Sequence, residues 1–112
     1  MEIKELTGIA ISALEDKKGE DIKLLNITGI SPISDYFVIA TGNNSNQMQA
    51  MADEVSEKLG KAGATLKHTE GYDAANWILM DYGDFMIHIF NPESRDFYNL
   101  ERIWSDGKVI ED

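Results

Sequence analysis

Three aspartates and two histidines are the residues here whose types could do chemistry. Asp81 and Asp84 straddle Gly83 within the stretch Trp77–Phe90, and Asp35 precedes the apolar run Tyr36–Ala40. Carboxylates held together can bind Mg²⁺ beside substrate phosphates, or share acid and base work. No third ligand is fixed near these, and Asp84 suits a turn on conformational grounds, because Asp tolerates the left-handed region. His68 and His88 lack the i, i+4 spacing that sets two imidazoles on one helix face, and both fall in strand-like runs. No Gly-x-Ser-x-Gly elbow surrounds any serine. Without Cys there is no thiol nucleophile, thiolate metal site or disulfide. The polar loop 41–46 (TGNNSN) precedes a helix, whose N-terminus favours anions. It holds one Gly and no following Lys, so capping explains its composition without a nucleotide. The residues lead to no catalytic group, no metal and no cofactor.

The elements that would position these groups centre on a hairpin. Trp77–Tyr82 and Phe85–Phe90 flank Gly83-Asp84, a two-residue connection with Gly first that suits a type II′ turn. That turn sets Tyr82 opposite Phe85, Asp81 opposite Met86, Met80 opposite Ile87 and Trp77 opposite Phe90. Alternation then puts Ile78, Met80, Tyr82, Phe85, Ile87 and Ile89 on one apolar side, which should be core. The other side carries Trp77, Leu79, Asp81, Met86, His88 and Phe90. Such a mixture of aromatic and ionisable groups fits a partner-facing surface, and equally a face half-covered by the chain's own helix.

The remaining elements read as scaffold. Residues 2–17 form an amphipathic helix with Ile3, Leu6, Ala10, Ala13 and Leu14 on one stripe, Ile9 at its edge, and Gly19 entering the left-handed region at its end. Asp21–Ile27 is a strand with Ile22, Leu24 and Leu25 candidates for the inside, and Ser31-Pro32 marks a loop. Tyr36–Ala40 is a short β-branched apolar run, hence a central strand buried on both faces. Asn44 or Ser45 caps a helix whose stripe is Met48, Met51, Ala52, Val55, Leu59 and Ala62, with Gly63 as its stop. Thr65–Thr69 completes a right-handed parallel β-α-β unit. Asn91-Pro92-Glu93 starts a last helix, with Phe97, Leu100 and Trp104 on a core-facing stripe. The order is therefore α-β-β-α-β-β-β-α, one α/β domain over residues 1–105 with a mixed sheet of about five strands, followed by a frayed acidic tail, 106–112.

Size and charge bound the partners. A chain of 112 residues makes one domain with a real core. No apolar run of about eighteen residues offers a membrane span. The N-terminal stretch is amphipathic and acidic, unlike a signal or transit peptide, so a cytoplasmic location is expected. Asp and Glu outnumber Lys and Arg 20 to 10, a net charge of −10. That sign opposes direct nucleic-acid binding and favours a basic protein partner.

Four blocks resemble one family: SDYFVIATG at Ser34–Gly42, EGYDAANWILMDYGD at Glu70–Asp84, HIF at His88–Phe90 and FYNLERIW at Phe97–Trp104. In order and spacing they are similar to the ribosomal silencing factors, the RsfS/Iojap family. The resemblance implies a nucleotidyltransferase-like α/β fold and a binding role without established catalysis. It also implies attachment to ribosomal protein L fourteen of the large ribosomal subunit, a block to subunit joining, repressed translation under nutrient limitation, and a possible homodimer. Nucleotidyltransferase chemistry needs a Gly-Ser turn and paired aspartates, whereas Gly29-Ile30-Ser31 is not such a turn and Asp35-Tyr36-Phe37 supplies one Asp.

The expected contact surface is then Trp77, Leu79, Asp81 and His88 on the outer hairpin face, extended by Tyr98 and Glu101, with Asp84 at the turn. Its carboxylates would pair with Arg or Lys of the ribosomal protein, while Trp104 is expected in the core. A nucleotide- or Mg²⁺-dependent enzyme using Asp35, Asp81 and Asp84 is the competing expectation, and a generic protein-binding adaptor is the third.

Overall fold

A helix of fourteen residues opens the fold because its apolar positions recur at helical spacing. The computed structural model describes residues 2–29, 32, 34–100 and, for the backbone alone, 108–110. α1 (Ile3–Asp16) buries Thr7, Ala10, Ile11, Ala13 and Leu14, with Ile3, Leu6 and Ile9 partly covered. At its end Lys18, not Gly19, takes the left-handed conformation (φ 63). The Gly19 N–H donates to the Leu14 carbonyl (2.9 Å) and the Lys18 N–H to that of Glu15 (2.9 Å), a Schellman ending. A Cβ on Gly19 would lie 2.7 Å from Met51 Cε and 3.0 Å from the Leu14 carbonyl oxygen, so a larger residue there would make the Met51 methyl shift.

β1 (Glu20–Asn26) runs antiparallel to β2 (Tyr36–Thr41). Leu24 and Leu25 of β1 are buried on opposite sides of the sheet. β2 is buried on both faces as expected, Val38 and Ala40 toward one core cluster, Phe37 and Ile39 toward the other. α2 (Ser45–Lys61) starts at Asn44, whose side-chain oxygen accepts from the Gln47 N–H (2.8 Å), and buries Met48, Met51, Ala52, Val55 and Leu59. There follow β3 (His68–Glu70), β4 (Trp77–Asp81), β5 (Phe85–Phe90), α3 (Pro92–Tyr98) and β6 (Lys108–Ile110).

The six strands lie in the order β3-β4-β5-β2-β1-β6. Two expectations change here. β2 pairs in parallel with β5, not with β3. The β4–β5 hairpin is inserted between the two strands that α2 joins, because its all-apolar inner face has more to bury than the fully exposed β3. The sheet also extends into the stretch read as a frayed tail, where β6 pairs antiparallel with β1.

Each face of the sheet has its own core cluster. α1 and α2 lie over one face, where Leu14, Val55, Leu59, Ile78, Met80, Ile87 and Ile89 share the larger core cluster. On the opposite face Leu25, Ile27, Phe37, Ile39, Phe90 and Leu100 form a smaller cluster, with Trp77 and Met86 only partly buried against it. Any site that uses Trp77 belongs to this second face.

Candidate functional site

The hairpin register is the expected one, from Trp77 opposite Phe90 to Asp81 opposite Met86. Gly83 sits at φ +88, a conformation other L-residues adopt only with strain. The turn is tighter than a two-residue II′ geometry: the Asp84 N–H donates to the Tyr82 carbonyl (3.2 Å), a three-residue turn centred on Gly83. Asp81 takes part in it, its Oδ1 accepting from the Gly83 N–H at 2.7 Å. The turn is tied to the start of β2, where Ser34 Oγ donates to the Gly83 carbonyl (3.0 Å) and the Asp35 N–H to the Asp84 carbonyl (2.9 Å). Asp35, Asp81 and Asp84 thus meet through backbone and turn bonds. Among the described residues no three His, Cys, Asp or Glu side chains are grouped to hold a metal ion.

His88 lies under the outer face. It is 3% exposed, with its ring centroid 4.4 Å from that of Phe37. Its Nδ1 accepts from the Trp77 indole N–H (3.1 Å), so in the neutral ring the proton sits on Nε2, which has no acceptor among the described residues. Burial pushes its pKa down from 6.5 to about 3, because the cation cannot be solvated there. A neutral imidazole that fixes the indole is what this position supplies. At His88 the cover comes from Phe37 and Trp77, residues of neighbouring strands and not of a helix.

Trp77 itself is half-buried. Its ring lies 5.0 Å from that of Phe90 and 4.6 Å from that of Tyr98, and those two rings are 6.3 Å apart, so the three form one cluster. Tyr98 is exposed, and Phe97 meets it edge-on at 5.1 Å (87°). Phe97 is 81% exposed, which corrects the expectation that it shares a core stripe with Leu100 and Trp104. The helix stops at Tyr98 because Asn99 turns left-handed (φ 46), breaking the phase of that stripe. Leu100 does enter the smaller cluster. Glu101, Ile103 and Trp104 lie outside the described residues.

Leu79 and Asp81 follow Trp77 along the same face of β4, both partly exposed, with Asp84 exposed beyond. β3 widens this row. Its register sets His68 opposite Asp81 and Glu70 opposite Leu79, and His68 Nε2 pairs with Glu70 Oε1 at 3.2 Å. Sequence reasoning missed His68, Glu70 and Phe97 as members of the face. Alternation along β3 could have found the first two; the end of α3 at Asn99 was the only signal for the third.

α3 is fixed from below by a residue the sequence did not single out. Arg95 is buried, donating from Nη1 to Thr41 Oγ1 (2.9 Å) and pairing Nη2 with Asp21 Oδ2 (3.3 Å). The Asn91 side chain caps the same helix, accepting from the Ser94 N–H (2.8 Å), with Pro92 at its first turn as expected. Tyr98 and Phe97 are therefore presented from an anchored segment. The result is a rigid aromatic platform with carboxylates at its far end, an arrangement suited to docking. No helix among the described residues is long and apolar enough to cross a membrane.

Comparisons with known proteins point one way. The profile of the family described as "Ribosomal silencing factor during starvation" matches residues 1–112. The chain is 41% identical over 111 residues to the ribosomal silencing factor RsfS of Halalkalibacterium halodurans, covering 99% of this chain and 95% of that one. A mouse relative, "Mitochondrial assembly of ribosomal large subunit protein 1", is 30% identical over 98 residues, covering 85% of this chain and 43% of its own length. A crystal structure of a protein from Chromobacterium violaceum superposes with a TM-score of 0.91 at 38% identity, covering 94% of this chain and 88% of that one.

Proposed function

The chain belongs to the ribosomal silencing factor family, and from that premise we propose that it acts as a steric blocker on the large ribosomal subunit. In this reading it docks on ribosomal protein L fourteen, prevents joining of the subunits and lowers translation when nutrients are scarce, working in the cytoplasm without turnover. The observation that carries the reading is the partly exposed row Trp77, Leu79 and Asp81 on the sheet face opposite α1 and α2, flanked by the exposed Tyr98. Large aromatic side chains give contact area at small entropic cost, and interface hot spots favour them. The net charge of −10 complements a basic ribosomal protein and speeds encounter more than it adds affinity. Asp81 and Asp84 bring carboxylates to that surface, and Glu101 extends it in the same reading. His88 contributes from beneath by holding the indole.

Light scattering on purified subunits tests this. Added protein should lower the amplitude of subunit joining in proportion to its occupancy of the large subunit. Full joining at saturating protein would refute the proposal.

A further inference from the structure

Away from the docking face, a cleft of about 320 Å³ opens between α2 and the free edge of the sheet. Ala52, Leu66 and Met80 form its apolar floor, and Asp53, Ser56 and Thr69 stand at its rim. Its wall is built rather than incidental. The Tyr72 hydroxyl donates to the Asp53 carboxylate (3.0 and 3.1 Å to its two oxygens), and Gln49 Nε2 donates to the Tyr72 carbonyl (2.9 Å). These bonds pin the loop before β4 against α2, so the cleft is preformed. Beside it runs β3, paired on one side with β4 and bordered on the other by no described strand, with all three residues exposed. Thr69 turns toward the cleft, and His68 and Glu70 toward the opposite face.

We propose that β3 and this cleft together receive an extended basic polypeptide segment as an added strand. An exposed edge offers backbone donors and acceptors in register, and pockets for alternate side chains give such additions their specificity. Every second side chain of the incoming segment would enter the cleft, where the floor takes an apolar group. The charge on offer is negative: among the described residues lining the cleft only Asp53 is charged, and the exposed Asp73 lies near enough to act on the Tyr72 hydroxyl. Arg or Lys beside the apolar position is the complementary choice. The proposal is independent of the ribosomal reading, since it uses the other face of the sheet and its edge.

The probe is the peptide acetyl-Arg-Val-Leu-Val-Arg-amide, titrated to low-millimolar concentration into the ¹⁵N-labelled full chain. Amide shifts should move at His68, Thr69, Glu70, Ala52 and Ser56, and hydrogen exchange along β3 should slow. Asp53→Asn, a change on an exposed helix position, should weaken binding about fivefold, the loss expected for one exposed charge pair. Ser56→Arg, which places a cation at the rim, should weaken it further, and the Glu-for-Arg peptide should not bind. The proposal is overturned if no amide moves, if the shifts map to the Trp77–Tyr98 face, if the acidic peptide binds as well, or if sedimentation shows β3 already covered by a second copy at working concentration.

Discussion

Replacing His88 by Asn gives a sharp test of the buried layer under Trp77. An Asn Oδ1 can stand where Nδ1 accepts the indole N–H, so the variant keeps that bond and removes the titration. In the wild type the folded pKa is about 3 against 6.5 in the unfolded chain. The neutral ring therefore contributes its full stability above pH 6.5, and the contribution is lost as pH falls toward the folded value. At about pH 5 the unfolded imidazole is charged while the folded one stays neutral, a penalty of about 2 kcal/mol at 1.4 kcal/mol per pH unit. Well below about pH 3 the penalty levels off near 5 kcal/mol. Urea denaturation of both proteins at about pH 7.5 and about pH 5 reads the difference. Wild type should lose about 2 kcal/mol more than His88→Asn between the two pH values, whatever constant offset the smaller side chain introduces. Equal losses would refute the reasoning, because they would mean the ring is solvated when folded.

Two further predictions rest on single contacts. Gly71→Ala should destabilise by about 3 kcal/mol or more in urea melts: Gly71 sits at φ +77, and an added Cβ would fall 2.1 Å from the Trp77 carbonyl oxygen, a backbone atom that cannot swing aside. Arg95→Met should cost about 2 kcal/mol by the same measurement, because Thr41 loses its donor inside the fold while the more exposed Asp21 can rehydrate.

The features legible in the sequence were the local ones. Gly83-Asp84 with alternating neighbours set the hairpin register, and 3.6-residue spacing found the buried stripe of α2. What escaped depends on distant partners. Nothing within Thr65–Thr69 says that a later hairpin will come between it and β2. Arg95 reads as a surface cation until Thr41 and Asp21 are seen around it. His88 alternates onto the outer face, yet Phe37, from a strand fifty residues earlier, closes over it. Phe97 was misread because periodicity continues past Asn99 although the backbone does not. Of the expected contact row, Trp77, Leu79, Asp81 and Tyr98 come together, Asp84 lies at its end, and His88 lies below it.

Co-sedimentation with purified large ribosomal subunits tests the central proposal most directly. Wild type should pellet with the subunit. Trp77→Ala combined with Asp81→Asn, which keeps an acceptor for the Gly83 N–H while removing the charge, should bind about thirtyfold more weakly or worse, at least 2 kcal/mol for a hot-spot aromatic. Circular dichroism confirms that the variant is folded. A folded variant that pellets as well as wild type, or a wild type that stays in the supernatant, would contradict the account.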